Sequence, residues 1–527
     1  MKIRKKGAQD VEPLLFGFIN FQYKQNPIQF PNINFMIKYS FLLTLLFPLI
    51  LSGQSKPIKL AALPAVINTS DNEELGRWSL DGKTLLFTRK GPTASSLYAA
   101  KFESKGKLIS VEKFPFDSTY RGGGHAISPD GKNLIFTSSN QKIGFGSSDL
   151  YLSELRNGKW SPPQNLGPSI NGQKWDGEPA FGNDGTSFYF TSNRPGGMGG
   201  YDIWTVRQSS PGHWSNAVNA GPGINTPNNE GSSFVHFDGR TIYFMRDGNE
   251  GMGGYDLYIA HMGIDGKWKP AENMGSSINS NSNEGGLALY PDGVTALITR
   301  ATPDRGNELY EFELPPVYQS TPVQALHVNV TDAATLKPVR AQLEVFDFNG
   351  MDTIRQSQIA DEKGNITVTL DRNMSYGVIA TAEGYVMNST NLQPTKESSR
   401  NLNVKMISLA SSVSKTMALQ NIFFETGSYS ILSSSEPELN SLSRTLQNNP
   451  GMKIEIRGHT DNVGDATSNQ LLSENRAKAV FTYLTGKGIT ADRIAYKGFG
   501  EKQPLGSNDT EEGRKQNRRT EFVITTL

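Results

Sequence analysis

The chain has 527 residues, with 52 Lys and Arg against 51 Asp and Glu, a net charge of +1, and no cysteine. Balanced charge without a basic domain argues against a nucleic-acid binder, and the lack of thiols excludes disulfides, thiol catalysis and cysteine-held zinc or iron–sulfur centres. The 53 Gly and 28 Pro suit a turn-rich β protein, and the length allows roughly three or four domains.

Residues 1–35 read as an over-extended start, with Met36 the expected initiator. From Met36 the sequence is MIKYSFLLTLLFPLILSGQS, in which Lys38 precedes an apolar run, Phe41 to Leu51, and then Ser52 and Gly53. That is a signal-peptide pattern over 36–53. The competing reading is a membrane anchor, but the run falls short of the ~20 apolar residues a span needs. LSGQ, ending at Gln54, has the form of a lipoprotein signal with Gln54 where the lipidated Cys would sit. The expected product is an exported, periplasmic chain.

A repeat follows. Five Asp-Gly turns stand between apolar runs, at Asp81, Asp130, Asp184, Asp238 and Asp292, spaced by 49, 54, 54 and 54 residues. GPSING, GPGINT and GSSINS keep the same register from Gly167, Gly221 and Gly275. Asp-Gly supplies the positive φ angles of a tight hairpin, and the flanks alternate as half-buried strands do. Each repeat therefore predicts two hairpins, or one four-stranded propeller blade. The repeats resemble the WD40-like, TolB-type propeller family over residues 58–318. Five repeats imply five blades, or six if residues 58–70 complete a split blade. SNRPGGMGGYDIW and MRDGNEGMGGYDLY are glycine-rich. A phosphate cradle would need a helix next, whereas a strand is expected, so both read as blade-connecting loops.

ELPPVYQSTP is a proline-rich joint, since paired prolines cannot continue a sheet interior. The strands after it carry TDAATLKPVRA and, later, AEGY. This pattern resembles the carboxypeptidase regulatory-like β-sandwich over 324–408, which implies an accessory spacer or docking module. A serine-rich stretch, 409–420, reads as a linker.

From Asn421 to the end the pattern is α+β. NIFFETGSYSIL reads as a strand and a turn, and SSSEPELNSLSRTLQNNP as a helix with a Ser433–Glu436 capping box and a stop at Asn449-Pro450. KIEIRGH is a strand. The next helix is expected to be capped by Thr467 and Gln470 and to bury Ala477, Val480 and Leu484. RIAYKGFGE is a strand, TEEGRKQNRR a short basic helix, and TEFVIT the last strand. GHTDNVG, NQLLSENRA, GFGEKQP and GRKQNRR, in this order, resemble the OmpA-like peptidoglycan-binding family over 421–527. The fold class is therefore multidomain: an all-β propeller, a small β-sandwich and an α+β domain.

The resemblance implies a ligand, the diaminopimelate of the peptidoglycan stem peptide, and a set of site residues. Asp461 would meet its ammonium and Arg476 its carboxylate. Thr460 and Asn469 would add hydrogen bonds, and Leu472 would pack on its methylenes. The charge logic agrees, because a planar bidentate donor suits a carboxylate. From the residues alone, Asp461 could equally be a turn residue with Arg476 its intradomain partner. His459 reads as a packing residue, and Arg518 and Arg519 as helix-end charges. The domain order resembles peptidoglycan-anchoring envelope proteins of the Bacteroidetes type. It lacks the helical repeat and lipoprotein Cys of their type IX secretion component. No catalytic motif, cofactor motif or metal motif is present. The expected function is a non-enzymatic envelope scaffold at the cell wall and outer membrane, with an envelope protein as the propeller's partner. The alternative is a wall-tethered hydrolase or a ligand sensor with its site in the propeller, where Trp175 and Trp204 would matter.

Overall fold

Each predicted Asp-Gly turn forms: Gly82, Gly131, Gly185, Gly239 and Gly293 all adopt positive φ, between 66° and 72°. The aspartate side chain closes the turn, as where Asp81 Oδ1 accepts from Ser79 Oγ at 2.6 Å and from the Lys83 amide at 3.0 Å. These hairpins belong to a computed structural model that describes residues 58–116, 124–139, 144–210, 212–248, 251–302, 306–348 and 354–527. The readings for 1–35 and 36–53 lie outside the described residues.

Among the described residues the repeats build five antiparallel sheets of four or five strands. Their first strands are Asn72–Trp78, His125–Ile127, Asp176–Phe181, Glu230–Val235 and Gly285–Leu289. Each first strand touches the next, and the last touches the first, so the sheets stand in a ring. The strand Ala61–Ala62 pairs with Gly306–Glu313 and completes the fifth sheet. The 58–70 stretch thus supplies the outer strand of the last sheet.

The GPSING-type marker has a physical role. Asn171, Asn225 and Asn279 are buried, and each side chain bonds both the N–H and the C=O of one strand residue. The partners are Leu150, Ile203 and Leu257, at 2.8–3.1 Å. Asn68 clamps Leu309 in the same way, at 3.0 and 2.9 Å. The short INT run from Ile67 to Thr69 is therefore a fourth copy of this marker.

The glycine-rich loops do not connect blades: each joins two paired strands of one sheet, Ser187–Ser192 to Asp202–Ser210 and Thr241–Asp247 to Tyr255–His261, and captures a carboxylate of its own chain. Asp202 accepts the Met198 and Gly199 amides at 2.9 and 3.3 Å, and Asp256 those of Met252 and Gly253 at 2.6 and 3.4 Å. A Cβ on Gly199 would collide with the Asn228 carbonyl of the neighbouring sheet, so the loop needs glycine there. At the ring's axis the innermost strands bulge. Leu75, Gly124, Glu178, Ser232 and Gly286, in repeat register, all take positive φ. Just beyond them Arg77 lies over the Phe234 ring at 5.7 Å and both are buried.

In the sandwich, Val323–Asp332 pairs antiparallel with Asn365–Asp371 and parallel with Ser399–Met406. A four-stranded sheet, ordered Ile354–Ile359, Gln342–Asp347, Tyr376–Thr381 and Asn388–Leu392, packs on it through Val328, Val330, Leu343, Val345 and Val378. The last sheet runs Thr416–Leu419, Thr520–Thr526, Lys453–Gly458, Ile494–Gly498. Its helices are α1 (Glu436–Asn448), α2 (Ala466–Gly486) and α3 (Glu511–Asn517). Phe346, Ile379 and Met387 of the sandwich share one core with Leu439, Leu442 and Ile456.

Four local expectations are corrected. The stretch read as a linker, 409–420, contains the strand Thr416–Leu419, in which Met417 and Leu419 are buried and their neighbours exposed. The expected strand after Asn421 is reduced to a single bridge, Phe424 to Ile431. The capping box does not form: α1 follows a 3-10 turn, Ser433–Ser435, and the Ser435 hydroxyl is spent on the Phe423 backbone. Asp465, rather than Thr467, caps α2, accepting the Ser468 amide at 2.8 Å. Ala477, Val480 and Leu484 are fully buried as expected.

Candidate functional site

Two glycines set the site's geometry. Gly458 and Gly498 are paired on adjacent parallel strands, and a Cβ on either would strike the backbone of Ser473 or Glu474. Their absence of side chains lets α2 lie directly on the sheet. Ser473 Oγ then accepts the Gly500 amide at 2.9 Å, and the Thr460 amide reaches the Gly500 carbonyl at 3.0 Å. The turn after Lys453–Gly458 is thus pinned beside the first half of α2.

On that helix Asn469, Leu472 and Arg476 share one face, at i, i+3 and i+7. Asn469 is buried and its amide nitrogen is engaged within the domain. It donates to the Asp461 and Val463 carbonyls, both at 3.3 Å, and to Glu501 at 2.9 Å. It holds the turn in place. Leu472 is half-buried. Thr460 is only 4% exposed, and its hydroxyl has no partner.

Asp461 does not pair with Arg476. Its Oδ1 accepts the Val463 amide at 3.1 Å and its Oδ2 accepts Arg518 Nη1 at 2.6 Å. Arg518 also donates to Glu511 at 2.7 Å, and these two carboxylates hold its guanidinium pKa above the ordinary arginine value. Arg476 instead lies over the Phe424 ring at 5.0 Å and donates Nε to the Ser428 carbonyl at 3.0 Å. Burial lowers its pKa, while the charge of Asp461 acts in the opposite direction, so the two groups sense each other without touching. Arg476 is thus fixed by a ring and a carbonyl, and among the described residues its two Nη groups have no hydrogen-bond partner.

The structure brings Thr460, Asp461 and Asn469 into direct contact through one turn and places Leu472 and Arg476 on the helix beside it. Arg518, read from the sequence as a helix-end charge, belongs to this constellation. Arg519 does behave structurally, pairing with Glu521 at 3.0 Å. His459 is a packing residue: it is 1% exposed, stacks on Phe499 at 5.2 Å and bonds Glu521 at 3.0 Å. Among the described residues no cluster of three or more His, Cys, Asp or Glu could hold a metal ion.

Residues 423–518 match the OmpA family. This part of the chain is an OmpA domain. The chain is 40% identical over 113 residues to the photosystem I P700 chlorophyll a apoprotein A2 of Gloeobacter violaceus, covering 20% of this chain and 13% of that protein. It is 43% identical over 86 residues to the peptidoglycan-binding protein ArfA of Mycobacterium bovis, covering 16% of this chain and 26% of that one. The chain therefore spans about a quarter or less of these curated relatives. Among solved structures, the putative TolB from Agrobacterium tumefaciens is similar at 17% identity and a TM-score of 0.32, over 63% of this chain and 87% of that one.

Proposed function

We propose that the OmpA domain binds peptidoglycan non-covalently, through the diaminopimelate of the stem peptide, and anchors the chain to the cell wall in the periplasm. The observation that carries this reading is the pair of Arg476 Nη groups, unpartnered among the described residues and in electrostatic reach of Asp461, whose chain neighbour Thr460 has a buried hydroxyl without a partner there. A planar carboxylate suits the guanidinium, and the remaining lone pairs of Asp461 can take an ammonium. Asn469 positions the Asp461 turn with its amide, and Leu472 offers an apolar wall. The similarity to a peptidoglycan-binding protein supports the same class of ligand.

The ring of five sheets is read as a five-bladed propeller that presents its surface to another envelope protein, with no catalytic role. The alternative, a hydrolase or sensor with its site in the ring, has less support. The axis holds Arg77 packed on Phe234, and Glu178 is bonded to Thr191 Oγ1 at 3.0 Å and the Ser232 amide at 2.7 Å.

The test is a peptidoglycan pull-down with the full chain, its Asp461→Ala and its Arg476→Ala variants, with free diaminopimelate as competitor. Each charge-assisted hydrogen bond contributes about 1.5–3 kcal/mol, so each variant should bind at least ~10-fold more weakly while retaining its circular dichroism. Equal binding by all three folded proteins would show that these two charges serve only the fold.

A further inference from the structure

A groove of about 940 Å³ separates the sandwich from α1. Its size falls within the range of ligand sites, roughly 300–1,000 Å³. Arg340, Gln342 and Tyr385 line it from the sandwich, and Ser441, Arg444 and Asn448 from α1. The two walls are fixed relative to each other. Arg444 Nη2 donates to Glu344 at 2.6 Å, Ser389 Oγ donates to Glu438 at 2.5 Å, and the two domains share one core. The groove is therefore formed before anything enters it.

Its polar groups are partly committed: Gln342 Nε2 donates to Ser357 Oγ at 3.0 Å and keeps its second N–H and its carbonyl. Arg340 is exposed, and no contact is made by its guanidinium among the described residues. Arg444 commits one Nη to Glu344 and keeps the rest of its fork. Ser441 lies beneath the α1 wall, 0% exposed and with no partner for its hydroxyl among the described residues, so it offers no polar atom to the groove. One guanidinium on each wall suits carboxylates, against the one exposed acid of the lining, Glu383. The Gln342 and Asn448 amides can each donate and accept, as N-acetyl groups and hydroxyls require.

We infer that this groove is a second wall-binding site and takes the glycan strand: an N-acetylated polysaccharide that bears carboxylates where its stem peptides have been removed. The inference rests on the wall-binding reading above and adds a ligand of different chemistry to it. The stem peptide is held at Asp461 and Arg476, and the sugar chain lies between Arg340 and Arg444. A chain gripped at both places is held to the polymer itself as well as to its cross-linking branches.

The experiment is calorimetric titration of the full chain with soluble glycan strands prepared by amidase digestion, and in parallel with a diaminopimelate-containing stem peptide. The variants are Asp461→Ala and the double substitution Arg340→Glu, Asn448→Ala. Both groove side chains are exposed, so the fold should tolerate their replacement. Wild type should bind the strands, and the double variant should bind them at least ~10-fold more weakly while keeping the stem peptide. Asp461→Ala should show the reverse pattern. Chitin oligosaccharides, which lack the carboxylate, should bind at least ~10-fold more weakly than the strands. The inference is overturned if wild type does not bind the strands, if the double variant binds them unchanged, or if an acidic peptide binds the groove as tightly. Loss of stem-peptide binding by wild type would instead remove the first reading and leave the strand result to stand by itself.

Discussion

Glu438 is a carboxyl group sealed between two domains, and its titration should loosen their joint. The side chain is 0% exposed. Oε1 accepts Ser389 Oγ of the sandwich at 2.5 Å, and Oε2 accepts the Asn421 amide at 2.6 Å. Burial is the main cause that pushes its pKa from 4.5 up to about 7, against the opposing effect of these hydrogen bonds. A rise of that size corresponds to about 3 kcal/mol of linkage. The folded state holds the proton more tightly than the unfolded state does. Its contribution is therefore fully present below pH 4.5, declines as pH rises, and is gone above about pH 7. Glu438→Gln mimics the protonated acid and should be insensitive to pH at this site. Hydrogen exchange of the Asn421 amide and the α1 amides, from pH 5 to 8, reads the joint directly. After correction for intrinsic exchange, wild-type protection should fall by up to about 3 kcal/mol relative to Glu438→Gln. A constant difference between the two proteins across that range would refute the reasoning.

Two further outcomes follow from the packing. Asn225→Ala removes a buried side chain that makes hydrogen bonds to both backbone groups of Ile203, so it should destabilise the ring by roughly 2–4 kcal/mol. Thermal unfolding followed by the ring's tryptophans reads this, and an unchanged midpoint would remove the clamp role given to the marker. Gly498→Ala would drive a Cβ into the Glu474 amide and Ser473 hydroxyl and lift α2 from the sheet. A cost of about 3 kcal/mol or more, with weakened stem-peptide binding, is expected in a denaturant melt paired with calorimetry.

The ring's hairpins were legible because their signals are local. Asp-Gly fixes the turn, and alternation fixes which side chains face inward. The GPSING marker was visible as register, but the work of Asn171 and its equivalents was not, since the clamped strand lies 21 or 22 residues away. Arg518 does sit at the end of α3 as a helix-end charge bonded to Glu511, but its second bond, to Asp461, spans 57 residues and left no local signal. The strand Thr416–Leu419 was hidden by its serine-rich lead, although Met417 and Leu419 carried the alternation. At the candidate site the four sequence blocks located the turn and the helix. They did not reveal that the Asn469 amide nitrogen is committed internally or that Asp461 already holds a cation.

Ring closure also has a consequence in time. Asn68 and Leu309 are 241 residues apart, and their mutual clamp joins the beginning of the ring to its last sheet. Bringing ends that distant together costs about 5 kcal/mol of chain entropy if nothing in between is folded, and much less once the intervening hairpins have formed. The economical order is therefore hairpins first, sheets next and the clasp last, at a rate governed by how quickly these long-range contacts are found. Until Ala61–Ala62 arrives, the edge of Gly306–Glu313 is open to pairing with another chain. A chain trimmed of its first ring residues would keep that edge exposed permanently, and its hazard would be aggregation.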